Sequence, residues 1–262
     1  MSAIKTISLI GAGRVAHHLG VEFQNRGLEV VSLYGRDREE AEALAQKLGI
    51  NYMAKIDGRI NADLIVLAVS DDAVGKVARQ LSEDNKALVV HTSGAVPMNV
   101  IPSYFRRGVF YPLQSFSFDK KVVWENVPFC IEAENDEDVN ALGVLAERIS
   151  RKVHLLNSEQ RKALHLAAVF ANNFANLMFE YAEELLEEAE IDRTILHPLV
   201  LETANKLLMQ TAAESQTGPA KRGDLETIKS HQALLKEGSS LRKIYDILTR
   251  EIYERSEHDE KL

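Results

Sequence analysis

The stretch Ile7-Ser8-Leu9-Ile10-Gly11-Ala12-Gly13-Arg14-Val15-Ala16 decides how the first half of the chain is read. Thr6–Ile10 has the composition of a buried strand, and from Arg14 the pattern turns helical. The residues between follow the form G-x-G-x-x-A. Gly11 permits the tight turn from strand to helix. Gly13 leaves the backbone bare so that a pyrophosphate can approach, and Ala16 lets the helix pack close on the strand. The helix N-terminus then offers free N–H groups and the positive end of its dipole. The spacing predicts a dinucleotide held by Gly11, Ala12, Gly13, Arg14 and Val15.

Outward from this loop, short β-branched runs alternate with helical patterns. A helix over Arg14–Asn25 leads to a strand at Glu29–Tyr34 and a second helix at Arg38–Leu48. Strands at Leu64–Val69 and Ala87–His91 enclose a helix at Ala73–Leu81. Pro128–Ala133 and Lys152–Leu156 read as further strands around the helix Glu137–Ile149. Strands apolar on both faces, alternating with helices, imply a parallel sheet covered on each side. Right-handed crossovers make it doubly wound.

The pattern changes at Asn157, which can cap a helix with Gln160 completing a capping box. A long helix is predicted from there to about Glu190, its apolar stripe running through Leu164, Ala167, Ala171, Phe174, Met178 and Leu185. Further helices are expected at Thr194–Ala212, Asp224–Leu235 and Ser240–Arg255, with a loop at Glu214–Gly223 and a fraying polar tail from Ser256. The expected class is α/β: a doubly wound Rossmann domain over residues 1–157, then an all-helical domain over 158–262.

The net charge of −8 argues against a nucleic-acid or anionic-membrane surface. The apolar run Leu64–Val69 is far short of the roughly 18 residues that a membrane span needs. Glycines and Arg14 interrupt the apolar N-terminus, so it does not read as a signal peptide. Cys130 is the single cysteine. It lies in an apolar segment and reads as a packed core thiol rather than a reactive one. A reducing, cytoplasmic compartment is expected.

NAD-binding versions of this loop carry an acid at the end of the second strand, on the ribose 2′-hydroxyl. Here that strand ends Leu33-Tyr34-Gly35-Arg36-Asp37. Gly35 stands in the acid's place, and a guanidinium follows. This suits a 2′-phosphate, so NADP is expected, with Tyr34, Gly35 and Arg36 beside it and Arg14 and Arg38 assisting. The competing reading makes Arg36 and Arg38 a solvated turn and Asp37 the ribose ligand.

In open α/β sheets the ligand crevice lies outside the carboxyl ends of the strands. Ser70-Asp71-Asp72 and His91-Thr92-Ser93-Gly94 fall at two such ends and are expected to line the nicotinamide side, with Val69, Ser70, Ser93 and Gly94 as cofactor contacts. Ser70–Asp72 reads equally well as a helix N-cap, and His91 as a core-facing strand residue. Farther on, Tyr111–Ser117 (YPLQSFS) is either a substrate loop, with Gln114 and Ser115 as contacts, or a packed crossover. Pro112 argues against a central strand there. In Gly218–Asp224 (GPAKRGD), Arg222 could hold a substrate carboxylate or phosphate, or the segment is a turn capped by Asp224.

At helical spacing, His165, Ala168, Asn172 and Asn176 fall on one face of the long helix. His165 is the candidate acid–base group, with a suitable ordinary pKa near 6.5, and Asn172 its companion. The other reading makes both of them interhelical hydrogen-bonders. Much of this helix is apolar or small around its circumference, which calls for a partner. A homodimer through the helical domain is expected.

Together, Gly11–Ala16, Tyr34–Arg36, Val66–Asp72, His91–Gly94, Tyr111–Ser117, His165–Asn173 and Gly218–Asp224 give the chain a family likeness. It resembles the dehydrogenases that join a Rossmann domain to a helical domain. That group includes pyrroline-5-carboxylate reductases, 6-phosphogluconate and β-hydroxyacid dehydrogenases, and ketopantoate reductases. Within it the chain is similar to a branch whose helical domain has no known function. β-Hydroxyacid dehydrogenases carry a Lys one turn before an Asn. If Asn172 matches that Asn, Ala168 stands at the Lys position, and His165 is the nearest substitute. The resemblance implies an NADP-dependent oxidoreductase moving a hydride between NADPH and a small carbonyl or imine, with no metal. A non-catalytic NADP-binding sensor or scaffold and a deazaflavin-dependent reductase are the alternatives.

Overall fold

A computed structural model describes residues 4–56 and 60–259. The chain divides into two compact units, Met1–Ala171 and Asn172–Leu262.

The first unit is built on an eight-stranded sheet. In chain order its elements are β1 (Thr6–Ile10), α1 (Arg14–Asn25), β2 (Glu29–Tyr34), α2 (Arg38–Leu48), β3 (Asn51–Tyr52), β4 (Leu64–Leu67), α3 (Asp71–Ala78), β5 (Leu88–His91), β6 (Arg106–Pro112), β7 (Phe129–Ala133), α4 (Asp136–Glu147), β8 (Val153–Leu155) and α5 (Ser158–Ala168). The strands lie in the order β3-β2-β1-β4-β5-β6-β7-β8. The first six are the doubly wound dinucleotide order, with the topological switch between β1 and β4. Ile7, Leu9, Ile10, Leu64, Ile65, Val66 and Leu67 are fully buried, as strands covered on both faces require. Gly20 admits a close helix approach, since a Cβ there would come within 2.9 Å of both Leu48 and Leu9.

Two features depart from the sequence reading. β3 and β6 were not expected, and Pro112 does belong to a central strand. Its position explains why it is tolerated: β5 stops pairing at His91 with Val109, so Phe110–Pro112 extend past β5 and pair only with β7. The proline therefore interrupts no ladder on its β5 side. The β6–β7 pair is antiparallel, because residues 113–128 contain only a 3-10 turn at Trp124–Asn126 and no crossover helix. Cys130 is buried in β7, and burial pushes its thiol pKa up, as a packed core thiol requires.

The second unit is helical: α6 (Ala175–Glu188), α7 (His197–Lys206), α8 (Ala212–Ser215), α9 (Leu225–Leu234) and α10 (Ser240–Asp259). The long helix expected from Asn157 does start with the capping box to Gln160. It is not uniform, however: Val169–Phe174 is a π-helical turn between α5 and α6. Spacing at 3.6 residues per turn fails through such a segment. The single face drawn through His165, Ala168, Asn172 and Asn176 therefore does not hold. Residues as far as Asp259 are helical, so Ser256 opens no fray. Among the described residues no helix is long and apolar enough to cross a membrane.

Candidate functional site

The site lies where β1, β4, β5 and β6 end. Gly11 has φ +117°, donates its N–H to the Tyr34 carbonyl at 2.7 Å, and packs against β4's exit. A Cβ at Gly11 would lie 2.0 Å from the Ala68 carbonyl oxygen, so only glycine fits. Gly13 differs. Its φ is −68°, and a Cβ there would meet nothing within 4 Å. That open space adjoins the first turn of α1, which has no side-chain cap and no acid. Its leading amides are free to bind an anion. By contrast, α3 carries Asp71 and Asp72 in its own first turn. These residues fit a dinucleotide pyrophosphate at α1, and nothing comparable stands at α3.

Beside this loop opens a cavity of about 590 Å³. Of the residues expected at the site, Gly13, Arg14, Val15, Val69, Ser70, Ser93, Gly94, Gln114 and His165 line it. Gly11 and Ala12 form the turn behind the loop. Ser115 lines a separate, smaller cavity of about 230 Å³ that Gln114 shares. Asn172 and Arg222 belong to the second unit, where both are exposed.

At the end of β2 the candidate ribose contacts stand in different surroundings. Asp37 is the N-cap of α2, its carboxylate accepting the Glu40 N–H at 3.1 Å. Arg38 pairs with Glu42 at 2.8 Å. Arg36 is exposed and makes no hydrogen bond or ion pair among the described residues. No acid could replace Gly35, because a Cβ there would lie 2.7 Å from that of Ala41 and 3.1 Å from that of Ala12.

The wall toward β5 is held from beneath. His91 is fully buried, and its Nδ1 accepts the Ser93 N–H at 3.2 Å. Burial, with the Arg161 guanidinium nearby, drives its pKa down to about 3, so the ring is neutral. Ser93 Oγ accepts the Ala95 and Val96 N–H groups, both at 3.1 Å, and so shapes the loop. Arg161 is buried and bonds to Glu132, the Val96 carbonyl and Ser158, tying α5 to β7 and to this loop. One turn after Arg161, His165 comes to rest against Gly94.

Asp71, Thr92 and Tyr111, each within a segment that the sequence marked, also line the cavity, as do Glu40 and Phe118, which the sequence did not single out. For Tyr111 a signal did exist. It stands near the carboxyl end of a strand beside β5, but Pro112 masked that strand. Phe118 lies under the Arg14 guanidinium at 5.8 Å, and its neighbour Ser117 accepts a hydrogen bond from His18 Nε2 at 2.9 Å.

Comparison with known proteins agrees with this geometry. Residues 6–94 match the family model "NADP oxidoreductase coenzyme F420-dependent", and residues 127–252 match the domain of unknown function DUF2520. A proposed NADP oxidoreductase of Bacteroides fragilis is 36% identical, with a TM-score of 0.86 over 96% of this chain and 98% of its own. A pyrroline-5-carboxylate reductase of Coxiella burnetii shares the fold at 17% identity, with a TM-score of 0.59 over 98% of each chain. An imine reductase of Myxococcus stipitatus, solved with NADP+, does so at 16% identity, with a TM-score of 0.65 over 98% of this chain and 94% of its own. No curated protein matches.

Proposed function

Because the chain belongs to the family that joins an NADP-oxidoreductase Rossmann domain to DUF2520, we propose that it is an NADP-dependent oxidoreductase acting on a small carbonyl or imine. One observation carries the reading: His165 lines the same cavity as the Gly13 loop, set against Gly94. When bound, NADPH supplies a hydride from its nicotinamide ring. The chain's residues do the rest. The first amides of α1 hold the phosphates, and Gly13 lets them approach. Arg36 holds the 2′-phosphate. Ser70, Ser93 and Gly94 wall the reactive end, and His165 exchanges the proton that the reaction needs. Gln114 is the substrate contact within the cavity, and Ser115, Asn172 and Arg222 are further candidates for holding substrate.

We assign residues 1–157 to the dinucleotide and 158–262 to substrate and self-association. Phe179, Leu199, Leu201, Leu208 and Met209 are exposed in the second unit, with Met209 89% exposed. Large apolar side chains left exposed in this way support a homodimer through the helical part. The lone buried Cys130 suits a reducing compartment, and we place the protein in the cytoplasm.

The test is NADPH oxidation against a panel of keto acids, aldehydes and imines. Wild type should turn over at least one class. His165→Ala should slow that turnover about 10²- to 10⁴-fold while binding NADPH as before. NADPH binding without turnover of any panel member would favour a sensor or scaffold instead.

A further inference from the structure

The cavity holds a second proton-bearing group that the reading above leaves idle. Tyr111 sits one residue from the end of β6, past the last pairing with β5, and its ring lines the cavity. Its phenol oxygen lies 3.4 Å from His165 Nδ1, and the two rings meet edge to face at 6.3 Å between centroids. Catalytic hydrogen bonds are often this long before substrate is in place.

Gly94 makes room for the pair. A Cβ at that position would come within 2.7 Å of His165 Nδ1, 2.7 Å of Tyr111 Cζ and 2.9 Å of the phenol oxygen. Three elements thus converge on one point: the turn after β5, the end of β6, and α5. They bring together two side chains able to carry a proton, on the wall of a cavity that also holds the dinucleotide loop.

Resting on the oxidoreductase reading, we propose that Tyr111 is a catalytic residue, the immediate proton donor to the substrate, and that His165 recharges it. The reductant is the reduced nicotinamide dinucleotide. In the reducing direction the carbonyl or imine carbon gains the hydride with its electron pair, and the π bond breaks. The freed pair on oxygen or nitrogen takes the Tyr111 hydroxyl proton. The resulting phenolate takes the proton from His165 Nδ1 as the ring gains one at Nε2 from solvent hydronium, so that one proton is consumed from solution per turnover. In the oxidising direction each proton runs backwards. Burial, then the neighbouring Cys130 and Asp71, hold the phenol pKa up at about 12 against a smaller opposing pull from Arg161. The hydroxyl therefore carries its proton at neutral pH, and the developing negative charge on the substrate oxygen or nitrogen draws that proton across.

Tyr111→Phe keeps the ring and removes only the oxygen. NADPH affinity by calorimetry should stay within about twofold, kcat should fall about 10²-fold or more, and KM should change little. The His165 ring titration, followed by NMR without substrate, should shift its midpoint. The double variant Tyr111→Phe/His165→Ala should lose no more than Tyr111→Phe alone, because a relay fails only once. Wild-type kcat in Tyr111→Phe, or losses that add in the double variant, would overturn the relay. A wild type inert toward the whole panel would overturn the oxidoreductase reading instead. The NMR titration then decides the pair by itself: a shifted His165 midpoint upholds the coupling, and an unshifted one ends it.

Discussion

Gly11 and Gly13 are glycine for opposite reasons, and the difference is measurable. At Gly11 the chain's own backbone fills the space, whereas at Gly13 the space is empty for a ligand. Gly13→Val should therefore leave the melting temperature near that of wild type and abolish NADPH binding in calorimetry. A variant that binds NADPH normally would remove this loop from the site. Arg36 is tested by cofactor choice. A charged hydrogen bond is worth roughly 1.5–3 kcal/mol, about 10- to 100-fold in affinity. Arg36→Ala should weaken NADPH by that factor and leave NADH nearly unchanged; equal losses for both would contradict a 2′-phosphate contact. The glycine turn was legible because Gly11 follows from a single backbone requirement. Asp37 was ambiguous in sequence, since a helix cap and a ribose ligand use the same residue type.

At the scale of elements, legibility followed periodicity. β1, α1, β2 and α2 carry clean patterns and lie where those patterns put them. β6 was hidden because Pro112 is normally a sign against a central strand, and only the early end of β5 makes it admissible. The π turn at Val169–Phe174 leaves no periodic mark, so the helical face drawn across it was misplaced. The turn after β5 carries a pH prediction. Neutral His91 holds this turn by accepting the Ser93 N–H. The unfolded chain protonates this ring below its ordinary 6.5, and the folded chain only near 3. Its stabilising contribution is complete above about pH 6.5 and is lost as the pH falls toward 3. Denaturant titrations from pH 7 to pH 4 should show wild type losing a few kcal/mol more than His91→Asn, whose amide oxygen can accept the same bond. Parallel curves for the two proteins would contradict the neutral, load-carrying imidazole.

For the whole molecule, the expectation of a homodimer rests on the long helix. A helix apolar around most of its circumference implied association, and α6 contains no buried residue within the single chain. Light scattering at micromolar concentration should give twice the mass of one chain. A mass of one chain, independent of concentration, would exclude the homodimer. The pairing of Tyr111 with His165 was beyond sequence reasoning, because it depends on how far β6 runs past β5. The central claim is that one cavity holds the dinucleotide and the proton-transfer pair. A crystal structure with NADP+ tests this most directly. It should place the pyrophosphate on the first turn of α1 and the nicotinamide in the cavity beside Gly94, within reach of Tyr111 and His165. A dinucleotide bound with its nicotinamide outside this cavity would contradict the account.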